Sequence, residues 1–201
     1  MESITLKLTG KNQLLTHNNT AANPMSIEAK TLKEITSKRA KTDKDFESIA
    51  RLEWESGLYL NGGVVAIPAI NIERSILFGA RKTKNGKLVE SGVFADDDFC
   101  ELSYAGTKIQ VDPSLHEFPI AELDPFFDEH KDQQMVKIAR NQILRTRPVF
   151  YDWSLKIKLL FDETIINKSI LFEAAQTAGA LIGLCEMRPR LGRFSVEEVA
   201  S

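Results

Sequence analysis

The chain has 201 residues, 43% of them hydrophobic and 27% charged, and its formal net charge is -2. That length suffices for one domain with a sizeable core, or for one domain carrying long insertions. No apolar run approaches the roughly 18–20 residues that a membrane span needs, so no membrane partner is expected. The opening MESITLKLTG starts strand-like, without a basic segment followed by an apolar one, which argues against a secretory leader. Cys100 and Cys185 lie far apart and outside any CxxC pair. They read as reduced thiols of a cytoplasmic protein, not as zinc ligands.

In chain order, ITLKLT alternates Ile4, Leu6 and Leu8 with Thr5, Lys7 and Thr9, the pattern of a half-buried strand. GKNQLLTHNNTAANP is turn-rich and carries the chain away from the sheet. Two helices follow. The first runs from 26 or 28 to about 38 and is basic and weakly amphipathic. The second runs from 43 to about 55, is capped by Thr42 or Asp43, and groups Phe46, Ile49, Ala50 and Trp54 on one face. SGLYLNGGVVAIP predicts a short strand, a glycine turn and a second short run stopped by Pro68. NIERSILFGARK predicts a helix capped by Asn71, with Ile72, Ile76, Leu77 and Ala80 on one face. A turn is expected at 85–87 and a strand over 89–94. The acidic stretch beyond reads as a long loop-like excursion with one short strand at 107–111.

The C-terminal third has the clearest periodicity. WSLKIKLLF places Trp153, Leu155, Ile157, Leu159 and Phe161 on one face, and Ser154, Lys156 and Lys158 on the other. NKSILFEAAQTAGALIGL has Ile170, Leu171, Ala174, Ala178, Leu181 and Ile182 at helical spacing after Asn167, and RFSVEEV alternates Phe194 and Val196 with polar residues. With the first strand, the helix near 71–82 and a strand near 93, the order is βαβ-βαβ. This predicts an α+β fold: a ferredoxin-like, split-βαβ antiparallel sheet with helices on one face. The chain then reads as a single domain, 1–201, with a basic helical insertion near 17–57 and an acidic, loop-rich one near 96–144. The uncovered sheet face would carry Lys7, Lys156, Lys158 and Ser195 and no mid-strand aromatic. That excludes an RNA-recognition motif, which stacks bases on such rings.

Charge is unevenly spread. Eleven acids fall between Asp96 and Asp132 against Lys108 and Lys131, whereas residues 74–87 hold five basic residues and no acid. The densest cluster is CEMRPRLGRF, between the last helix and the last strand, with Arg188, Arg190 and Arg193 around Pro189 and Gly192. Guanidinium groups grip phosphate oxygens bidentately, and a glycine lets backbone approach a ligand closely. The competing expectation is that these arginines pair with the acidic stretch of their own chain. Further candidate phosphate contacts are Lys38, Arg39 and Lys41, then Arg81, Lys82 and Lys84, and then Arg145 and Arg147 beside Phe150, Tyr151 and Trp153. Helix-end cations and solvated surface charge are the ordinary alternatives.

A ferredoxin-like core ending in a glycine- and arginine-containing loop resembles the RAMP superfamily, the RNA-binding proteins of CRISPR systems, and within it the backbone subunits that coat a guide RNA. QLLTHN, AIPAINIERSILFGAR and IGLCEMRPRLGRFSV also resemble a family of short phage-encoded proteins. The closing motif of that family reads glycine, aspartate, tryptophan, arginine, proline, arginine, then glycine, arginine, phenylalanine. This sequence departs from it at Cys185, Glu186 and Met187. The resemblance implies Arg188, Arg190, Gly192 and Arg193 as the motif positions. It also implies RNA or single-stranded DNA as ligand and a homo-oligomer along the strand. A phage protein that docks on a host complex, or a virion component, is the rival expectation.

Enzyme chemistry has little to stand on. His17, His116 and His130 lie in unrelated segments, and no nucleophile elbow, phosphate loop or HExxH is present. A nuclease using a metal at Asp96–Asp98 is the least remote activity, yet neighbours on a strand face opposite ways. The expectation is therefore no catalytic residue, no metal and no cofactor.

Overall fold

The computed structural model describes residues 1–104, 107, 108, 124–138 and 141–200. The chain forms β1 (Glu2–Gly10), β2 (Leu14–Leu15), a 3-10 turn (Asn19–Ala22), α1 (Ile27–Thr36), α2 (Asp43–Gly57), β3 (Leu60–Asn61) and β4 (Val64–Pro68). It continues through α3 (Ala69–Lys82), α4 (Gly86–Gly92), β5 (Val93–Ala95), β6 (Phe99–Tyr104) and β7 (Thr107–Lys108). Last come α5 (Asp124–Glu129), β8 (Lys131–Ile138), β9 (Asn141–Phe150), β10 (Trp153–Phe161), α6 (Lys168–Leu181) and β11 (Phe194–Glu198). This is a mixed α+β architecture with antiparallel sheets. Two compact units divide it: Met1–Leu14, Leu60–Val111 and Phe150–Ser201 form the first, and Leu15–Tyr59 with Asp112–Val149 the second.

The first unit is built on an eight-stranded sheet in the order β11-β1-β10-β6-β4-β3, with β5 also pairing β10 and β7 pairing β6. The alternating sequences of β1 and β10 fix its register. Leu6 faces Ile157 and Leu8 faces Leu155, all four buried, while Lys7 faces Lys156 on the opposite side. Helices α3 and α6 close the apolar face with Ile72, Ile76, Leu171, Ala174 and Ala178. Their approach depends on Gly79, where a Cβ would run into the Ala174 carbonyl oxygen. Likewise, a Cβ on Gly179 would collide with the Phe194 carbonyl of β11.

Several local expectations need correction. Helix α3 starts at Ala69 after Pro68, whose φ of -55° already suits a helix start, so Asn71 lies inside the helix and does not cap it. Residues 89–92 are not strand. Gly86, Val89 and Gly92 form the buried stripe of α4, and only Val93–Ala95 extends. A short apolar run satisfies either period, and the three-residue spacing of small side chains decided this one. Among its described residues, the excursion after residue 96, expected to be loop-like, holds β6, α5, β8 and the start of β9. The expected strand at 107–111 is seen at Thr107–Lys108, and 109–111 lie outside the described residues. Leu14 and Leu15, read as part of a turn, are fully buried in β2. Leu181 is 57% exposed because α6 is ending there.

The second unit packs α1 and α2 with a three-stranded sheet, β2-β9-β8. Thr42 and Asp45 form a reciprocal capping box that starts α2. Trp54 is buried, donates its indole N–H to the His130 carbonyl at 2.8 Å, and meets the Phe127 ring edge-on at 5.5 Å. Arg51 lies over both rings and pairs with Glu55 at 2.7 Å. Phe46, expected on the buried face with Trp54, is 55% exposed, since burial on α2 is confined to its C-terminal half.

Candidate nucleic-acid interface

The connection from α6 to β11 is a shaped loop. Gly183 (φ 79°) ends the helix and donates its N–H to the Ala178 carbonyl. Cys185 and Met187 both stand at φ 57°, and Gly192 at 70°. Left-handed backbone at two non-glycine residues carries a conformational cost that the surrounding bonds must offset. The bonds are present. Leu184, fully buried, donates to the Gly192 carbonyl at 2.9 Å, Gly192 donates to the Gln13 carbonyl at 2.9 Å, and Ser75 Oγ of α3 donates to the Gly183 carbonyl at 2.8 Å. At Gly192 a Cβ would clash with the Leu184 carbonyl, so the position requires glycine on two counts.

Asn12 is the residue that anchors the arginine loop, and no pattern in the sequence pointed to it. Its amide donates to the Arg190 carbonyl at 2.8 Å, and its side-chain oxygen accepts the Arg193 N–H at 2.9 Å. Trp153 fixes Asn12 in turn by donating its indole N–H to the Asn12 carbonyl at 2.8 Å. Internal bonds thus hold the loop's main chain at Gly183, Leu184, Arg190, Leu191, Gly192 and Arg193, while the side chains of Arg188, Arg190 and Arg193 are exposed. Among the described residues none of the three forms an ion pair. Lys11, also exposed and also missed, donates its backbone N–H to the Arg193 carbonyl at 2.8 Å.

The remaining clusters are more engaged. Lys38 pairs with Asp45 at 2.6 Å, and Lys41 Nζ donates to the Lys38 carbonyl at 3.0 Å. Lys38 and the capping bonds of Thr42 hold the Asp45 carboxyl down at about 2. Arg39 is exposed. Arg81 lies over Phe78 and reaches Glu90 at 3.6 Å, while Lys82 and Lys84 are exposed at the end of α3. Arg145 is paired with the buried Glu53, which also accepts the Thr146 N–H at 2.9 Å. Arg147 joins Arg145 and His17 in lining a cavity of about 490 Å³ within the second unit. Phe150 and Trp153 are buried, and of that aromatic trio only Tyr151 is exposed.

The uncovered face of the first unit's sheet carries Lys7, Lys156, Lys158, Thr9, Ser154 and Ser195, as the alternation requires. It is not free of aromatics. Phe94, opposite Leu160, is 46% exposed, and Phe99 at the start of β6 is 38% exposed. Both come from segments whose strands were misplaced or unseen in the sequence. A groove of about 630 Å³ on this face is lined by Lys7, Lys156, Ser154, Phe99, Asp97 and Asn61, among others. Lys158 is neutralised by Asp96 at 2.8 Å, and Glu101 of the same groove pairs with Lys108.

The two cysteines are held as thiols. Burial pushes the Cys100 thiol up to about 12, aided by Asp97 and Glu73. Burial does the same to Cys185, also to about 12, against the pull of Arg188. Both are free thiols, protonated at neutral pH. Among the described residues no three His, Cys, Asp or Glu side chains converge to hold a metal, and no helix is long and apolar enough to cross a membrane. No protein-family model matches the sequence, and no curated protein aligns significantly with it.

Proposed function

We propose that the protein binds RNA or single-stranded DNA without catalysis, gripping phosphates through the loop of Arg188, Arg190, Gly192 and Arg193. One observation carries the reading: Asn12, Gln13 and Ser75 anchor the loop's backbone at Arg190, Arg193, Gly192 and Gly183, while its three arginine side chains are exposed and form no ion pair among the described residues. Backbone held rigid around free cations lowers the ordering cost of gripping an anion. Lys11 adds a fourth cation beside Arg193, and Lys82, Lys84 and Arg39 remain available as peripheral contacts.

The finer assignment is a ferredoxin-like core of the RAMP type, phage-borne by its sequence likeness. In support, β11, β1 and β10 are neighbours in that order, β10 is followed by β5 and β6, and the helices of both βαβ halves lie on one face. Cys185 occupies the place where the similar phage sequences carry glycine, and its φ of 57° is the region glycine prefers. Assembly of several copies along one strand, with their acidic stretches against basic patches, belongs to the same proposal.

The test is fluorescence anisotropy with labelled single-stranded RNA and DNA over a range of salt. Arg190→Ala with Arg193→Ala should weaken binding and reduce the slope of log affinity against log salt by about 1.4, two phosphate contacts at about 0.7 each. A double variant that binds as the wild type does would overturn the proposal. Size exclusion in the same buffers reads the assembly.

A further inference from the structure

We infer that the groove on the open sheet face of the first unit seats one base of a single-stranded nucleic acid on Phe99, with the adjoining phosphates on Lys7 and Lys156. This rests on the nucleic-acid reading above and extends it from the loop to a second place. The starting point is an electrostatic oddity. Lys7 and Lys156 are direct cross-strand partners in the two central strands, where like charges repel. Glu197 flanks Lys7 on β11, yet among the described residues neither lysine forms an ion pair. An anion lying over the two ammonium groups removes that repulsion.

The opposite wall of the groove has another character. Phe99 is exposed there, Asp97 and Asn61 line the same groove, and Lys108, which also lines it, is already paired with Glu101. A ring face next to acceptors suits a base that stacks and donates from an exocyclic amino group, as carboxylates accept from cytosine. Acceptors do not suit a phosphate. The two walls thus separate the two halves of a nucleotide, and a volume of about 630 Å³ admits one. A duplex presents no free ring face to Phe99, and an acidic peptide would be repelled by Asp97.

Register then links the groove to the arginine loop. Successive rows on this face are Arg193 beside Lys11, then Ser195, Thr9 and Ser154, then Glu197, Lys7 and Lys156. Rows two residues apart are separated by about 6.6 Å, so the path from loop to groove runs from cations over hydroxyls to the two lysines, with Glu197 at its outer edge.

The probes are labelled oligocytidine and oligouridine of about ten nucleotides, a length within the usual single-strand site sizes. Phe99→Ala should weaken oligocytidine binding roughly tenfold, and Phe99→Leu should not restore it, because leucine keeps bulk but lacks a ring face. Lys7→Gln with Lys156→Gln should flatten the salt slope by about 1.4. Oligocytidine should bind more tightly than oligouridine, and Asp97→Asn should narrow the gap. Thermal unfolding of each variant separates lost folding from lost binding. If Arg190→Ala with Arg193→Ala weakens binding while the Phe99 and lysine variants bind like the wild type, the groove assignment is wrong and the loop reading stands. If the wild type binds neither oligonucleotide, both fall together.

Discussion

Asn12 shows how much one uncharged side chain controls. It meets the loop through both of its amide atoms and carries no charge of its own, so removing it should disorder the grip without subtracting a cation. Asn12→Ala is therefore expected to lower nucleic-acid affinity while leaving the salt slope near the wild-type value, the reverse of the arginine variants. Titration and anisotropy on the same samples distinguish the two. Asp45 makes a second residue-level prediction. Its carboxyl is held at about 2, below the ordinary 3.8, mainly by Lys38 and then by the Thr42 bonds. A depressed folded value means its contribution is present above the ordinary carboxylate range and is lost as pH falls toward 2. In Lys38→Ala the Asp45 resonance should titrate closer to its ordinary range, as carboxyl NMR would record. The two thiols make a third: with both pushed to about 12, a thiolate-directed reagent at pH 8 should label the folded protein far more slowly than the denatured chain.

At the scale of elements, the tight places are where backbone meets backbone. Gly179 brings α6 onto the Phe194 carbonyl, and Gly79 brings α3 onto α6. Neither site has a flexible side chain to yield, so Gly179→Ala is expected to destabilise by about 1–3 kcal/mol, the usual range for overpacking. Urea denaturation should show it as a lowered midpoint. Elements with strong alternation or a full helical stripe were legible in the sequence: β1, β10, β11, α2 and α6 stand within a few residues of where periodicity put them. The failures share a cause. In β8 the run KDQQMVKI has few apolar residues to mark a face, and in α4 the buried stripe is made of Gly86, Val89 and Gly92, two of which carry no side chain. Burial there is carried by neighbours, and local sequence does not encode it.

At the scale of the whole molecule, a net charge of -2 and a pI near 6.0 coexist with a locally basic loop and with a sheet face where lysines and carboxylates are interspersed. The proposed binding depends on where charge sits and not on its sum. Protein purified at low salt is expected to show an absorbance excess at 260 nm that disappears at high salt. The arginines of the candidate site were legible because a charge cluster with proline and glycine is conspicuous in one dimension. Asn12, Lys11 and Phe99 were not, because their importance comes only from pairings across the sheet. Phe99 in particular sits beside three aspartates in sequence, and only the register of β6 puts it on the sheet face that carries the lysines.

The bond between Asn12 and Arg190 spans 178 positions of the chain. Since ribosomes add about 5–20 residues per second, roughly ten seconds or more separate the emergence of its two ends. Until the later end docks, the loop has no scaffold and its backbone polar groups face water. The anchored form of the arginine loop is thus reached only after residue 190 has emerged and found a partner made long before it.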